Sequence, residues 1–174
     1  MALAFMAVSF FMYWPNPEMA FLSDNSPVSW LSSAQLWAMT LLSLRHATDR
    51  SLPLPIALWL SVAMMGMSFD EQFMFHEYWK FSCISWISAC HLAWVRELPI
   101  IMVALVGAVT FLILLRTIAV LRAQFLVLAA LAVGLLAICV DLFAWPNVLV
   151  RWEEALEVLS ESLFAGVLLG LRVQ

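Results

Sequence analysis

Six long apolar stretches, separated by short polar breaks, account for most of the chain. The first runs from Ala2 to Trp14. The second runs from about Trp30 to Ala47 and closes on Arg45, His46, Asp49 and Arg50. Pro53 and Pro55 open the third, which continues through Leu58, Val62 and Met65 to about Trp79. Proline in a first helical turn costs little, because its missing N–H would have lain unpaired there. The fourth and fifth, Pro99 to Leu115 and Phe125 to Trp145, are the most hydrophobic, and Arg116 and Arg122 bracket the turn between them. The sixth runs from about Val148 to Leu171. Between the third and fourth, Ile84, Ile87, His91 and Trp94 are spaced to share a helix face, which predicts a short interfacial helix within residues 81–95.

A membrane-crossing helix needs about 20 apolar residues. The pattern therefore predicts an all-α fold: one domain over residues 1–174, a polytopic membrane bundle of about six transmembrane helices with one interfacial helix. The first stretch is short for a span and is read as re-entrant or tilted. It is not read as a signal peptide, since it lacks a basic leader and a small-residue cleavage site and runs into Trp14-Pro15-Asn16-Pro17.

Composition agrees. The 174 residues are 65% hydrophobic and 11% charged, against roughly half and a quarter in a soluble domain. With a net charge of −4 and no Lys/Arg cluster, nothing suggests nucleic-acid binding; the expected surroundings are the lipid bilayer. Arg45, Arg50, Arg116, Arg122 and Arg172 fall on one side of the six-span layout and Lys80, Arg96 and Arg151 on the other, which puts the first side inside. Trp14, Trp30, Trp79, Trp86, Trp94, Trp145 and Trp152 gather at the outer boundary. Cys83 and Cys90 would stand about 10 Å apart along a helix, so a bridge between them requires a turn. Cys139 and the methionines, Met64, Met65, Met67 and Met74 among them, read as core filler.

The candidate chemistry is acidic. Asp70, Glu71, Glu77, Asp141, Glu153, Glu154 and Glu157 come from three apolar stretches yet fall at similar depth: helix rise puts Asp70 and Asp141 each roughly 24 Å along their spans. Carboxylates at that depth are costly unless paired, protonated or bound to a cation. Asp70 and Glu77, seven apart, share a helix face, as do Glu154, Glu157 and the deeper Glu161; His76 lies off the Asp70/Glu77 stripe and joins it only if the helix distorts. Three chemistries compete. A divalent metal could be held by Asp70, Glu77, Glu157 and His76, activating water with Glu154 as proton acceptor. The acids could relay protons or cations. They could also be structural, Glu153 and Glu154 favouring a helix start and Lys80, Arg96 and Arg151 neutralising the rest. Ser43, Arg45, His46 and Asp49 read as a solvated helix terminus.

Asp70-Glu71-x4-His76-Glu77 on one helix, an Asp late in a following helix, and Glu153-Glu154-x2-Glu157 opening the last together resemble small multi-pass bacterial membrane proteins without an assigned activity. That resemblance implies the bacterial inner membrane and supplies a fold type alone. His46-Ala47-Thr48 and Asp70-Glu71 are also similar to the His-Ala-Thr and Asp-Glu segments of the alkaline ceramidase superfamily of zinc-dependent membrane hydrolases. The last helix, however, carries Glu154, Glu157 and Glu161 in place of that family's paired zinc-binding histidines, and Ser43 stands three residues before His46 where the family has four. Its zinc site is not carried over. The sequence thus supports two functions: a metal site acting on a lipid-soluble substrate, or a non-catalytic subunit packing against a larger membrane complex.

Overall fold

The computed structural model describes residues 1–21, 26–143 and 152–171, without the side chains of Glu18, Asp141 and Phe143. Among these residues the fold is all helical. The short apolar α1 (Ala2–Met12) precedes the two long helices α2 (Pro27–Asp49) and α3 (Leu54–Phe73). A connecting region holds α4 (Phe75–Ser82), two 3-10 turns (Cys83–Ser85 and Ser88–His91) and α5 (Ala93–Arg96). Then come α6 (Leu98–Thr117), α7 (Leu121–Phe143) and α8 (Glu153–Gly170).

Local chemistry sets the boundaries. Ser26 caps α2 by accepting from the Ser29 N–H at 3.1 Å, with Pro27 in the first turn, where it is tolerated. The helix ends at Arg50 in the left-handed conformation (φ 53°). Gln124 Nε2 closes the α6–α7 turn by donating to the carbonyls of Leu115 and Ile118 at 3.2 and 2.7 Å, satisfying oxygens that α6 leaves unpaired.

α2 is the central helix. It packs along α3 on one side and against α8 on another, while α7 packs along α8 and α6 sits outside α7. Leu36, Leu60, Leu114, Val127 and Leu168, all almost fully buried, join α2, α3, α6, α7 and α8 in one core. α1 closes over the start of α8, where Phe10 and Phe21 pack on the Trp152 ring at 6.4 and 5.1 Å.

The long helices are inside out by the standard of a water-soluble protein. On α2 the hydroxyls of Ser29, Ser32, Ser33, Thr40 and Ser43 are buried while Trp30, Trp37, Leu41 and Leu44 face outward. On α3, Ser61 and Ser68 are buried and Leu58, Trp59, Val62 and Phe69 are exposed. Three of the inward hydroxyls tie α2 to α3. Ser33 and Ser68 Oγ stand 3.1 Å apart and each also donates to the other's carbonyl, and Ser61 donates to the Thr40 carbonyl at 3.2 Å. Small hydroxyl residues let two backbones approach, the usual device between helices in lipid. α6 and α7 are long and apolar enough to cross a membrane, and 11% and 28% of their apolar stretches is buried.

Several expectations are corrected. The third helix does not run unbroken to Trp79: it ends at Phe73, and Met74 turns the chain in the left-handed conformation (φ 54°) before α4 begins. Residues 81–95 form no single interfacial helix. Two 3-10 turns fold them back, and that turn brings Cys83 and Cys90 to a Cα separation of 5.9 Å, where they form a disulfide. Cys139 is exposed on α7 and is no part of the core. Ser43 and His46 are buried rather than solvated; of the four residues read as that terminus, Arg45 and Asp49, paired at 3.1 Å, face outward. The region from 144 to 151, with Trp145, the expected sixth-span start at Val148 and Arg151, lies outside the described residues, as does Arg172.

A candidate acidic metal centre

A cavity of about 370 Å³ lies where the end of α3, the start of α4, the start of α6 and the first half of α8 meet. Its polar lining is Asp70, Glu71, His76, Glu77, Glu153, Glu154, Glu157, Ser160 and Glu161, with no lysine or arginine among the described lining residues. Phe21, Leu36, Met67, Pro99, Ile100, Val103, Gly134 and Ile138 form the apolar remainder. The side chain of Asp141, the seventh acid of the expected layer, lies outside the described residues.

Three carboxylates come closest. Glu71 of α3 and Glu154 and Glu157 of α8 each offer an oxygen within 4.8 Å of the others. Oxygens that bind one cation at 2.0–2.6 Å can stand at most about 5 Å apart, so this group has the dimensions of a single cation's ligand set. Hydroxyls of α2 hold the acids in place. Ser29 Oγ donates to Glu71 Oε1 at 2.9 Å, and one turn along, Ser32 Oγ donates to Glu161 Oε1 at 2.7 Å. The second oxygen of Glu161 is buried and meets no hydrogen-bond partner among the described residues. A buried acceptor left without a donor costs roughly 1–3 kcal/mol, more when charged, and marks a place where a proton, cation or ligand donor belongs.

Beside the triad, the break at Met74 folds α4 back on α3. Asp70 thereby meets His76 twice: its Oδ1 accepts from the His76 backbone N–H at 3.0 Å and its Oδ2 from Nδ1 at 2.8 Å. A carboxylate can only accept, so Nδ1 carries a proton and, in the neutral ring, the basic lone pair is on Nε2. Carboxylate-oriented histidines of this kind are used both as metal ligands and as bases. Lys80 pairs with Glu97 at 3.3 Å, and Trp79 Nε1 donates to the Val95 carbonyl at 3.1 Å, fastening α4 to the start of α6 and to α5.

The expected metal ligands Asp70, His76, Glu77 and Glu157 and the expected proton acceptor Glu154 all line this cavity. They do not form one ligand set. Glu154 and Glu157 belong to the close triad, Asp70 and His76 form their own pair, and the third member of the triad is Glu71. Sequence reasoning passed over Glu71 as a ligand because a straight third helix favours the Asp70/Glu77 stripe, and it passed over Ser29 and Ser32. The signal for the serines was present: Ser29, Ser32, Ser33, Thr40 and Ser43 recur at helical spacing through an otherwise apolar span.

His46 and Ser43, by contrast, are far from the site. His46 Nε2 donates to the Leu168 carbonyl in the last turns of α8 at 2.7 Å, and Nδ1 bonds Ser51. Leu168 is roughly 16 Å along α8 from Glu157, so His46 and Asp70 lie at opposite ends of the bundle. Comparison with protein-family models, curated proteins and solved structures finds no match to this chain.

Proposed function

We propose that the chain is a six-span membrane protein of the bacterial inner membrane whose acidic cavity faces outward and holds a divalent cation on Glu71, Glu154 and Glu157, with the Asp70–His76 pair beside it as proton acceptor. The cation would supply a water of lowered pKa; the Asp70–His76 pair would take its proton and return it to the leaving group as the water adds across a hydrolysable bond of a lipid-soluble substrate. The observation that carries the reading is the 4.8 Å convergence of three carboxylates from helices distant in sequence. Like charges so placed repel in a poorly screened site, and a divalent cation offsets that repulsion.

Support for the membrane reading comes from the inverted helices. α2 and α3 bury their hydroxyls and expose tryptophan, leucine and valine, the arrangement expected when the surroundings are lipid. Support for the orientation comes from the Cys83–Cys90 bridge on the connector above the cavity, since disulfides persist outside the reducing cytosol.

Elemental analysis of the intact protein after gentle extraction tests the proposal. We expect a stoichiometric divalent metal, with affinity lowered by at least about 10–100-fold by Glu157→Gln or Glu71→Gln and far less by Glu77→Gln. Metal at background in the wild-type protein ends the metal reading.

A further inference from the structure

We infer that a second site, at the opposite end of the bundle from the acids, hydrolyses a fatty acyl ester through a Ser51–His46 dyad. Ser51 Oγ is the nucleophile and His46 Nδ1 its base. The site shares no lining residue with the acidic cavity and stands whether or not that cavity holds a metal.

The dyad follows from how α2 ends. His46 sits buried in its last turn, and Arg50, in the left-handed conformation, turns the chain so that Ser51 comes back to meet the imidazole. His46 Nε2 lies 2.7 Å from the Leu168 carbonyl, one of the oxygens that the end of α8 leaves without an intrahelical partner. A carbonyl only accepts, so Nε2 carries the proton and, in the neutral ring, the lone pair is on Nδ1. Ser51 Oγ is hydrogen-bonded to that Nδ1, so the hydroxyl is the donor. A serine on a base, with the base oriented by a third group, is the arrangement that activates a hydroxyl. Nε2 alone ties α2 to α8; Nδ1 is left to act on Ser51.

The surroundings of Ser51 indicate the substrate. It is half-buried and lines a cleft of about 530 Å³ with Ala47, Arg50, Leu52, Pro53 and Leu54. At about 30 Å³ per water, that is the space of about 18 waters, enough for an ester group and part of an acyl chain. Leu54 and, one turn along α3, Leu58 are exposed, an apolar track for the rest of the chain. Ser51 Oγ adds to the ester carbonyl as its proton passes to Nδ1. The carbonyl–alkoxy bond then breaks, and the alcohol leaves with the proton from Nδ1. Water repeats the sequence on the acyl-serine: Nδ1 takes a water proton and returns it to Ser51 Oγ as the fatty acid departs. Arg50, the one charged residue among the described lining residues, favours the negative charge that builds on the carbonyl oxygen.

The test uses the full chain in nanodiscs. A dodecyl fluorophosphonate, whose phosphorus bonds a serine oxygen as fluoride leaves, should modify Ser51 at least about tenfold faster than the exposed Ser85. In His46→Gln, whose amide can still donate to the Leu168 carbonyl, modification of Ser51 should slow about 100-fold or more, the size of a general-base contribution. The wild-type protein should also hydrolyse p-nitrophenyl dodecanoate, and Ser51→Ala should abolish that turnover. A merely structural contact between the two residues would lower the stability of the variants and yield no preferred Ser51 adduct. Ser51 modified no faster than Ser85 overturns the inference, and that comparison requires no variant. Absent wild-type turnover overturns it too, as does turnover retained in Ser51→Ala, or modification undiminished in His46→Gln that melts as a folded protein.

Discussion

His76 Nδ1 donates to Asp70 Oδ2 at 2.8 Å across a helix break centred on Met74, and without that break the two side chains would lie on different faces of one helix. A non-glycine residue held at φ 54° costs roughly 1–2 kcal/mol in steric strain. Met74→Gly removes that strain and Met74→Val worsens it through the β-branch. Thermal unfolding in mild detergent should rank Met74→Gly above Met74→Val by about 1–2 kcal/mol, with the site intact in the glycine variant. The reverse order would mean that the left-handed turn is not what joins α3 to α4.

The bridge closing residues 83–90 constrains a short ring. Chain-entropy arguments give about 2–3 kcal/mol for a ring of that length, so Cys83→Ser with Cys90→Ser should lower stability by that order. The exposed Ile87 between them can report sidedness: in intact spheroplasts a membrane-impermeant maleimide should label Ile87→Cys above the wild-type background. Labelling seen only after the membrane is opened would invert the orientation.

His46 joins α2 to the far end of α8 and has no part in the acidic site. His46→Ala should cost about 2–4 kcal/mol, since it opens a void in the core and leaves the Leu168 carbonyl without its donor. His46→Gln, which keeps an N–H donor, should recover part of the loss. Metal content should be the same in all folded variants. If His46→Ala emptied the metal site while remaining folded, the separation between the two ends would be wrong.

Gly134 on α7 gives room to Ser160 on α8. A Cβ at Gly134 would stand 2.9 Å from Ser160 Oγ, the atom that donates to the Ala130 carbonyl at 2.8 Å. Gly134→Ala should therefore displace that hydroxyl and cost about 1 kcal/mol. In the background of Ser160→Ala the same substitution should cost less, giving a measurable coupling in a double-mutant cycle. Additive losses would show that the two residues do not share this contact.

The long helices were legible because their signals are local. The apolar run expected from Trp30 to Ala47 is α2 at Pro27–Asp49, and the run from Pro99 to Leu115 is α6 at Leu98–Thr117, each bounded by proline or arginine. The break at Met74 was not legible. Methionine is a good helix former, and its left-handed turn follows from contacts that Asp70 makes with residues beyond it. That missed break misassigned the faces of Asp70, His76 and Glu77. The Cys83–Cys90 bridge was hidden for a related reason, since helical spacing was extrapolated through residues that fold into 3-10 turns. At the site, a rich supply of acids at one depth could be read from the chain. Which of them approach one another could not, because that depends on α2 lying between α3 and α8 and offering Ser29 to one and Ser32 to the other.

Chain order adds a constraint on assembly. Glu71 is made early and meets Ser29 within the α2–α3 hairpin, whereas Glu154 and Glu157 emerge only with the last of the described helices. During biosynthesis the pocket stays half-built until α8 docks against α2, so the three carboxylates can converge only once the last of the described helices is in place, and a chain stalled before α8 would present Glu71 without Glu154 and Glu157.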